Sequence, residues 1–148
     1  MEIRVCGREE IERGLLVRTD YVVISIRDPG RPRAKVKPQC GLRDTLFLAF
    51  HDVAPSAGFE LAPEIQPITA AQADQICIFV RRHESDVGTI VGHCERGMSR
   101  SPAVAAAISD ALSLDARRFW QSHTPNAYVY HTVADAFERA AATRKLGG

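Results

Sequence analysis

The sequence lacks a long apolar segment, because no run approaches the roughly 18 consecutive apolar residues that a membrane-spanning helix requires. It also lacks an excess of either charge, since 19 basic and 18 acidic side chains give a net charge of +1. The first residues, MEIRVCGREE, lack the basic and then apolar character of a secretory signal. We therefore expect a cytoplasmic protein that binds neither a membrane nor a specific nucleic acid.

The cysteines are few and lie far apart, and no two of them form a CxxC pair. Zinc sites need such closely spaced ligands, so we expect no metal site and no other cofactor. Apolar neighbours predict that Cys6 and Cys77 are buried as free thiols, whereas Cys94 stands in a polar, charged segment. Whether Cys6 or Cys40 lies close enough to Cys94 to form a regulatory disulfide is left open by the sequence.

The order of the predicted elements indicates a single α/β domain over residues 1–148. Short β-branched and apolar runs predict strands at 3–5, 21–26, 45–50 and 88–92. Helical spacing predicts helices at 8–16, from 69 onward, from 102 onward, at 115–121 and from about 126 to 144. Strands this apolar favour a three-layer fold, in which helices flank a mostly parallel sheet of four to five strands.

Two irregular segments separate these elements. Residues 31–43, RPRAKVKPQCGLR, are rich in basic side chains and predict a mobile basic loop. A solvated loop is its ordinary interpretation, and the alternative is a segment that steers acidic, phosphorylated substrates. Residues 51–67 predict a long connection, after which Thr69 and Gln72 have the spacing of a helix capping box.

The segment HCERGMSRS, residues 93–101, places a cysteine and an arginine between an apolar strand and an alanine-rich helix. A loop at a helix N-terminus favours an anion, because its backbone N–H groups are free and the helix dipole is positive there. Gly97 lets the loop turn tightly, and Arg100 offers a planar pair of donors for two phosphate oxygens. Cys94 would lie at the base of the loop, where the helix end and nearby cations favour the nucleophilic thiolate.

This segment resembles the phosphate-binding loop of the cysteine-dependent protein tyrosine and dual-specificity phosphatases, in particular their small bacterial dual-specificity-like members. LFLAFHD and, more weakly, PNAYV add to the resemblance, which covers roughly residues 20–135. It implies that Cys94 forms a phosphocysteine, that Arg100 binds the phosphoryl oxygens and that Ser101 assists the leaving thiolate. It also implies that His93 orients the loop and that Asn126 supports it. The residues expected to surround the phosphate are Glu95, Arg96, Gly97, Met98, Ser99 and Arg100.

In this family an aspartic acid on a loop protonates the departing oxygen. Asp28 and Asp52 each follow a predicted strand, so both can lie with Cys94 at the carboxyl edge of the sheet. Asp28 begins an Asp-Pro-Gly turn, where aspartate has an ordinary structural use. Asp52, in AFHDVAP, resembles the family's acid position and is the candidate. Its separation from Cys94 is longer than is typical of the family, and the connection at 51–67 accounts for the extra length.

The resemblance implies a phosphomonoester hydrolase that acts on phosphotyrosine, and also on phosphoserine or phosphothreonine, in a phosphorylated protein or a small phosphomonoester. Extra loop lysines, which favour phosphoinositides, are absent, and we expect Glu95 to offset the charge of Arg96. A catalytically weak phosphate-binding module and a phosphatase of a non-protein phosphate, such as a phosphoinositide, stay open as alternatives. Sulfur transfer also uses a loop cysteine, but it gives no clear reason for the Arg-Ser ending of the motif. Arsenate reduction needs partner thiols near Cys94, and the sequence does not show that Cys6 or Cys40 lies close to it. The oligomeric state is not predicted by the sequence.

Overall fold

The computed structural model describes residues 1–147, in which four strands form one parallel sheet. The strands are β1 Glu2–Gly7, β2 Tyr21–Arg27, β3 Leu42–Ala49 and β4 Thr89–Cys94, and their order across the sheet is β1-β4-β2-β3. The helices are α1 Arg8–Arg13, α2 Ala70–His83, α3 Arg100–Ala111, α4 Arg117–Ser122 and α5 Ala127–Gly147. None of these helices in the described residues is long and apolar enough to cross a membrane. The predicted α/β fold, with helices around a parallel sheet, is confirmed.

The central strand β2 explains why its sequence, YVVISIR, is apolar almost without interruption. Val22, Ile24 and Ile26 face a core formed with α2, α3 and α5. Tyr21 and Val23 face the other side of the sheet, where α1 and the chain around residues 17 and 34 cover them. A strand covered on both faces favours apolar side chains at nearly every position. Burial of one such side chain stabilises the fold by about 1.5–3 kcal/mol.

The parallel sheet brings the segments that follow each strand to one edge. In the register of the sheet, Gly7 at the end of β1 lies beside Cys94 at the end of β4. Ser25 of β2 lies beside His93, which precedes Cys94 in β4. The residues after all four strands therefore meet around the loop that joins β4 to α3, as expected for ligand sites in parallel sheets.

The capping box predicted before α2 is present in the structure. Gln72 donates its backbone N–H to the Thr69 hydroxyl at 3.1 Å, and Thr69 donates its own N–H to the Gln72 side chain at 3.0 Å. Two orphan donors at the start of the helix are thus satisfied.

Two predicted elements differ from the structure. The helix predicted over 8–16 ends at Arg13, because Gly14 has a φ of 116° that an α-helix cannot continue. The basic segment predicted as a mobile loop has neither helix nor strand over residues 31–39, but it packs against α1. Ala34 is buried, and Lys37 donates its backbone N–H to the Ile11 carbonyl at 3.2 Å. This segment therefore covers the face of the sheet that carries Tyr21 and Val23.

Candidate active site

The loop between β4 and α3 is closely packed against the end of β1. Gly97 has a φ of 72°, and a Cβ built on it would lie 2.6 Å from the Cys6 carbonyl carbon. Arg8 donates its backbone N–H to the Glu95 carbonyl at 3.0 Å. Within the described part of the chain, no backbone N–H group of residues 96–99 donates a hydrogen bond. These free donors precede the N-terminus of a helix, where the dipole favours an anion.

Cys94 lies at the base of a cleft of about 590 Å³ formed by this loop and its neighbours. Only 3% of the residue is exposed, and its Sγ atom lies 3.2 Å from the Ser101 hydroxyl. Three basic side chains line the same cleft, namely Arg31, Arg96 and Arg100. Three carboxylates also line it, namely Asp28, Asp52 and Glu95. The structure thus brings Cys94, Arg100 and Asp52 together around one cleft.

Both hydrogen bonds of the Arg100 guanidinium group are made by one nitrogen, Nη1. The residue is 5% exposed, and its Nη1 donates to Asp28 Oδ1 and to the Phe50 carbonyl, each at 2.7 Å. Nε and Nη2 have no partner among the described residues, and the side chain lines the cleft. That pair of donors matches two oxygens of a phosphate. The sequence placed Asp28 at this edge of the sheet, but it did not indicate that Asp28 pairs with Arg100.

Asp52 is fixed by two neutral donors. Its Oδ1 accepts hydrogen bonds from the Ser99 hydroxyl at 2.8 Å and from Asn126 Nδ2 at 2.9 Å. Ser99, expected among the residues around the phosphate, thus directs its side chain to the candidate acid. A second oxygen, Oδ2, is left without a side-chain partner among the described residues.

Asn126 joins three parts of the site. Its backbone N–H donates to the Ser99 carbonyl at 3.1 Å, which connects the loop to the start of α5. Its Nδ2 also donates to the Val53 carbonyl at 3.0 Å, beside Asp52. Its Oδ1 accepts from Val129 N at 3.1 Å and so caps α5. The residue therefore connects the loop, the candidate acid and a helix, which is more than loop support.

His93 lies behind the loop and is fully buried. Its Nε2 lies 2.6 Å from the Ser25 hydroxyl, and its Nδ1 lies 3.4 Å from the Cys94 carbonyl. Burial lowers the pKa of His93, and the contact with the Cys94 carbonyl opposes that shift. The carbonyl can only accept, so Nδ1 carries the ring proton and Nε2 accepts from the serine. His93 can therefore orient the backbone of Cys94 as a neutral ring.

Glu95 does not offset Arg96, which corrects the expectation from their adjacency in the sequence. Its two carboxylate oxygens pair with Arg8 at 3.2 Å and with Arg31 at 2.9 Å. Arg96 is exposed at the cleft and forms no ion pair with another described residue. One residue of the basic segment, Arg31, thus reaches the cleft. The partners of Glu95 come from α1 and from the turn after β2, which the order of residues does not bring together.

Neither Cys6 nor Cys40 lies beside the Cys94 side chain. Cys6 pairs with His93 in the sheet, so its side chain shares the face of His93 and not the face of Cys94. Burial raises the pKa of Cys6 to about 12, which keeps it a neutral thiol. Cys40 precedes β3 and lies at the opposite edge of the sheet. All four cysteines are free, and within residues 1–147 no group of three His, Cys, Asp or Glu side chains could hold a metal ion.

Comparison with known proteins identifies solved structures that are similar to this one. No family model and no curated protein sequence matches the chain. The structure is similar to the human tyrosine phosphatase-like serine/threonine/tyrosine-interacting protein, with 21% identity, 78% of this chain and 74% of that chain covered, and a TM-score of 0.50. It is also similar to human DUSP28, with 14% identity, 95% of this chain and 94% of that chain covered, and a TM-score of 0.52. The chain therefore shares the α/β fold of these two solved structures.

Proposed function

We propose that the chain hydrolyses phosphomonoesters through a cysteinyl-phosphate intermediate on Cys94. One observation carries the proposal. The Cys94 sulfur lies at the base of a cleft lined by Arg100. Among the described residues, no group pairs with Nε or Nη2 of this arginine or with the backbone N–H groups of residues 96–99. A thiolate beneath a site built for a tetrahedral dianion is positioned to attack its phosphorus atom.

In the first step the Cys94 thiolate attacks phosphorus, so that a sulfur–phosphorus bond forms and the ester oxygen–phosphorus bond breaks. Asp52 gives its proton to the departing oxygen, and its fixed Oδ1 leaves Oδ2 as the atom that carries this proton. Arg100 and the loop N–H groups stabilise the negative charge on the phosphoryl oxygens in the transition state.

In the second step water attacks phosphorus and the sulfur–phosphorus bond breaks. Asp52, now a carboxylate, accepts a proton from the water, and inorganic phosphate leaves. Ser101 donates a hydrogen bond to the departing sulfur, because its hydroxyl lies 3.2 Å from Cys94 Sγ. The thiolate is then ready for another turnover.

The residues that line the cleft are compatible with substrates that have either an aromatic or an alkyl leaving group. Met98 is the one large apolar side chain among its described lining residues, and no aromatic ring is among them. A pocket specific for phosphotyrosine would use an apolar wall for the ring. We therefore propose that phosphoserine and phosphothreonine are accepted as well as phosphotyrosine, in a protein or in a small phosphomonoester.

A phosphate-binding module that does not turn over its ligand is the second candidate. The solved structure named a phosphatase-like interacting protein supports it, because that name describes an interaction and not hydrolysis. The same cleft would then hold a phosphorylated partner through Arg100 and the loop N–H groups.

Turnover of p-nitrophenyl phosphate, measured between about pH 5 and 8, separates the two candidates. We expect the wild type to be active and Cys94→Ser to be inactive, while calorimetry shows that this variant still binds inorganic phosphate. Cys40→Ser is the matched control, because Cys40 is an exposed thiol at the opposite edge of the sheet. Full activity in Cys94→Ser excludes the cysteinyl-phosphate mechanism. Phosphate binding without turnover in the wild type supports the module.

A further inference from the structure

The chain that leads into Asp52 is fixed on the strand side. Gln72, at the start of α2, donates its Nε2 to the Ala49 carbonyl at 2.9 Å. Phe50, the next residue after Ala49, donates its backbone N–H to the Arg27 carbonyl at 3.1 Å. The end of β3 is therefore bound to a helix and to the neighbouring strand β2 before the chain leaves the sheet.

The chain that follows Asp52 is a long exposed connection. Residues 54–65 contain turns but neither a helix nor a strand, and all of residues 56–64 are exposed. Among the described residues, the hydrogen bonds of residues 54–65 are made only within that segment. Phe59, near its middle, is 79% exposed. A segment with so few contacts has many accessible conformations, and by itself it would not fix the carboxylate beside it.

His51 and Gln66 close this connection at its base. His51 donates its backbone N–H to the Gln66 carbonyl at 2.7 Å, and Gln66 donates its own N–H to His51 Nδ1 at 2.9 Å. Because Nδ1 accepts, the ring proton lies on Nε2. Val53 donates its N–H to the His51 carbonyl at 3.0 Å, and this bond spans Asp52. His51 thus binds the chain on both sides of the connection through its N–H, its carbonyl and its ring.

We propose that His51 is a positioning residue for Asp52: the His51–Gln66 pair holds the two ends of the connection together, so that motion of residues 54–65 does not displace the carboxylate. The inference rests on the proposed function, which assigns proton donation to Asp52. His51 is not among the described residues that line the cleft, so it acts through Asp52. The pair also explains how the connection can be long without loosening the acid, because the added residues lie beyond the closed base.

Two substitutions at His51 separate its ring acceptor from the rest of the residue. His51→Asn keeps an oxygen that can accept from the Gln66 N–H, whereas His51→Leu keeps an apolar side chain and has no acceptor. His131→Leu is the matched control, since His131 is an exposed histidine of α5 that is not among the described lining residues of the cleft. Amide hydrogen exchange of Gln66 reports on the pair. Turnover of phenyl phosphate and of p-nitrophenyl phosphate reports on the proton donor.

We expect His51→Leu to raise the exchange rate of the Gln66 amide by about three- to tenfold, as for the loss of one neutral hydrogen bond. Its kcat should fall at least about threefold more for phenyl phosphate than for p-nitrophenyl phosphate, whose leaving group needs no proton. His51→Asn should stay within about twofold of the wild type in both measurements, and His131→Leu should be unchanged. Equal losses of kcat for the two substrates in His51→Leu overturn the proposal, and so does an unchanged exchange rate of Gln66.

A longer connection tests directly whether the pair isolates the acid. Gly58 lies in an exposed turn and has no atom within 4 Å of its Cβ position, so an insertion after it has open space. About twelve inserted Gly and Ser residues roughly double the connection, which costs a free loop about threefold in its closure. We expect the ratio of the two kcat values to be unchanged by this insertion when His51 is present, and to fall by about threefold more in His51→Leu. A lower ratio in the lengthened wild type overturns the proposal, and this variant decides alone if thermal unfolding shows that His51→Leu is not folded.

Hydrogen exchange distinguishes this inference from the proposed function. If the wild type binds phosphate without turnover, the phosphatase function is wrong, and the Val53 amide decides the inference, because its hydrogen bond spans Asp52. Faster exchange of Val53 in His51→Leu then supports the positioning of this segment by His51, and unchanged exchange overturns it. If the wild type is active and both His51 variants have its substrate ratio, the phosphatase function stands and the positioning role is wrong.

Discussion

Gly97→Ala would place a Cβ closer to neighbouring atoms than an added Cβ at any other described glycine. Gly97 has a φ of 72°, and the new Cβ would lie 2.6 Å from the Cys6 carbonyl carbon and 2.8 Å from the Gly7 backbone nitrogen. Both atoms belong to the backbone of β1, at the point where it pairs with β4. They cannot turn aside as the end of a flexible side chain can.

Two effects lower the free energy of unfolding of Gly97→Ala. A non-glycine residue in the left-handed region costs about 1–2 kcal/mol, and overpacking against fixed atoms adds about 1–3 kcal/mol. We therefore expect the free energy of unfolding to fall by about 2–5 kcal/mol, or the loop to move away from β1 and lose its phosphate site. Gly58→Ala carries the first effect alone, because Gly58 has a φ of 86° and no atom within 4 Å of its Cβ position.

Urea unfolding and phosphate titration of the two variants measure these effects. The difference in unfolding free energy between Gly97→Ala and Gly58→Ala isolates the contact with β1. The reasoning is refuted if Gly97→Ala is no less stable than Gly58→Ala and also binds phosphate with the affinity of the wild type. In that case the packing of the loop against Cys6 and Gly7 would not determine its shape.

Asn126→Ala removes one of the two donors to Asp52, so we expect kcat to fall more for phenyl phosphate than for p-nitrophenyl phosphate, whose leaving group needs no proton. Equal losses for both substrates would assign Asn126 to loop structure alone. Burial lowers the pKa of His93 in the folded chain, so below about pH 6.5 the unfolded chain binds more protons and stability falls as the pH falls. Urea unfolding at about pH 5.5 and 7.5 should show a smaller pH dependence in His93→Gln, and an unchanged dependence would contradict this cause.

The parts of the site that are continuous in the chain could be predicted from the sequence. Strand β4, the loop after it and α3 follow one another, so apolar runs and helical spacing were enough to predict a loop at the carboxyl edge of a sheet. The capping box of α2 is also a local pattern, and it is present as predicted. Local patterns determine local backbone geometry, which is why these predictions agree with the structure.

The contacts between distant segments could not be predicted in the same way. Glu95 pairs with Arg8 and Arg31 and not with its neighbour Arg96, because the ends of β1 and β2 lie on either side of β4. The basic segment was expected to be solvated, because its many charged residues gave no indication that Ala34 is buried against the sheet. In the first case the deciding factor is strand order, which the sequence pattern does not contain. In the second it is the packing of the segment against α1.

The two aspartates of the cleft illustrate how such contacts separate roles that the sequence leaves open. Both follow a strand and both line the cleft, so position alone does not distinguish them. Asp28 contacts a buried cation, and neutralising it would leave the charge of Arg100 without compensation. Asp52 contacts a hydroxyl and an amide, which donate to it whether or not its other oxygen carries a proton. Because both donors to Asp52 are neutral, its protonation would leave no described cation unpaired in the empty cleft, and this contrast with Asp28 supports the proposal that Asp52 is the proton donor.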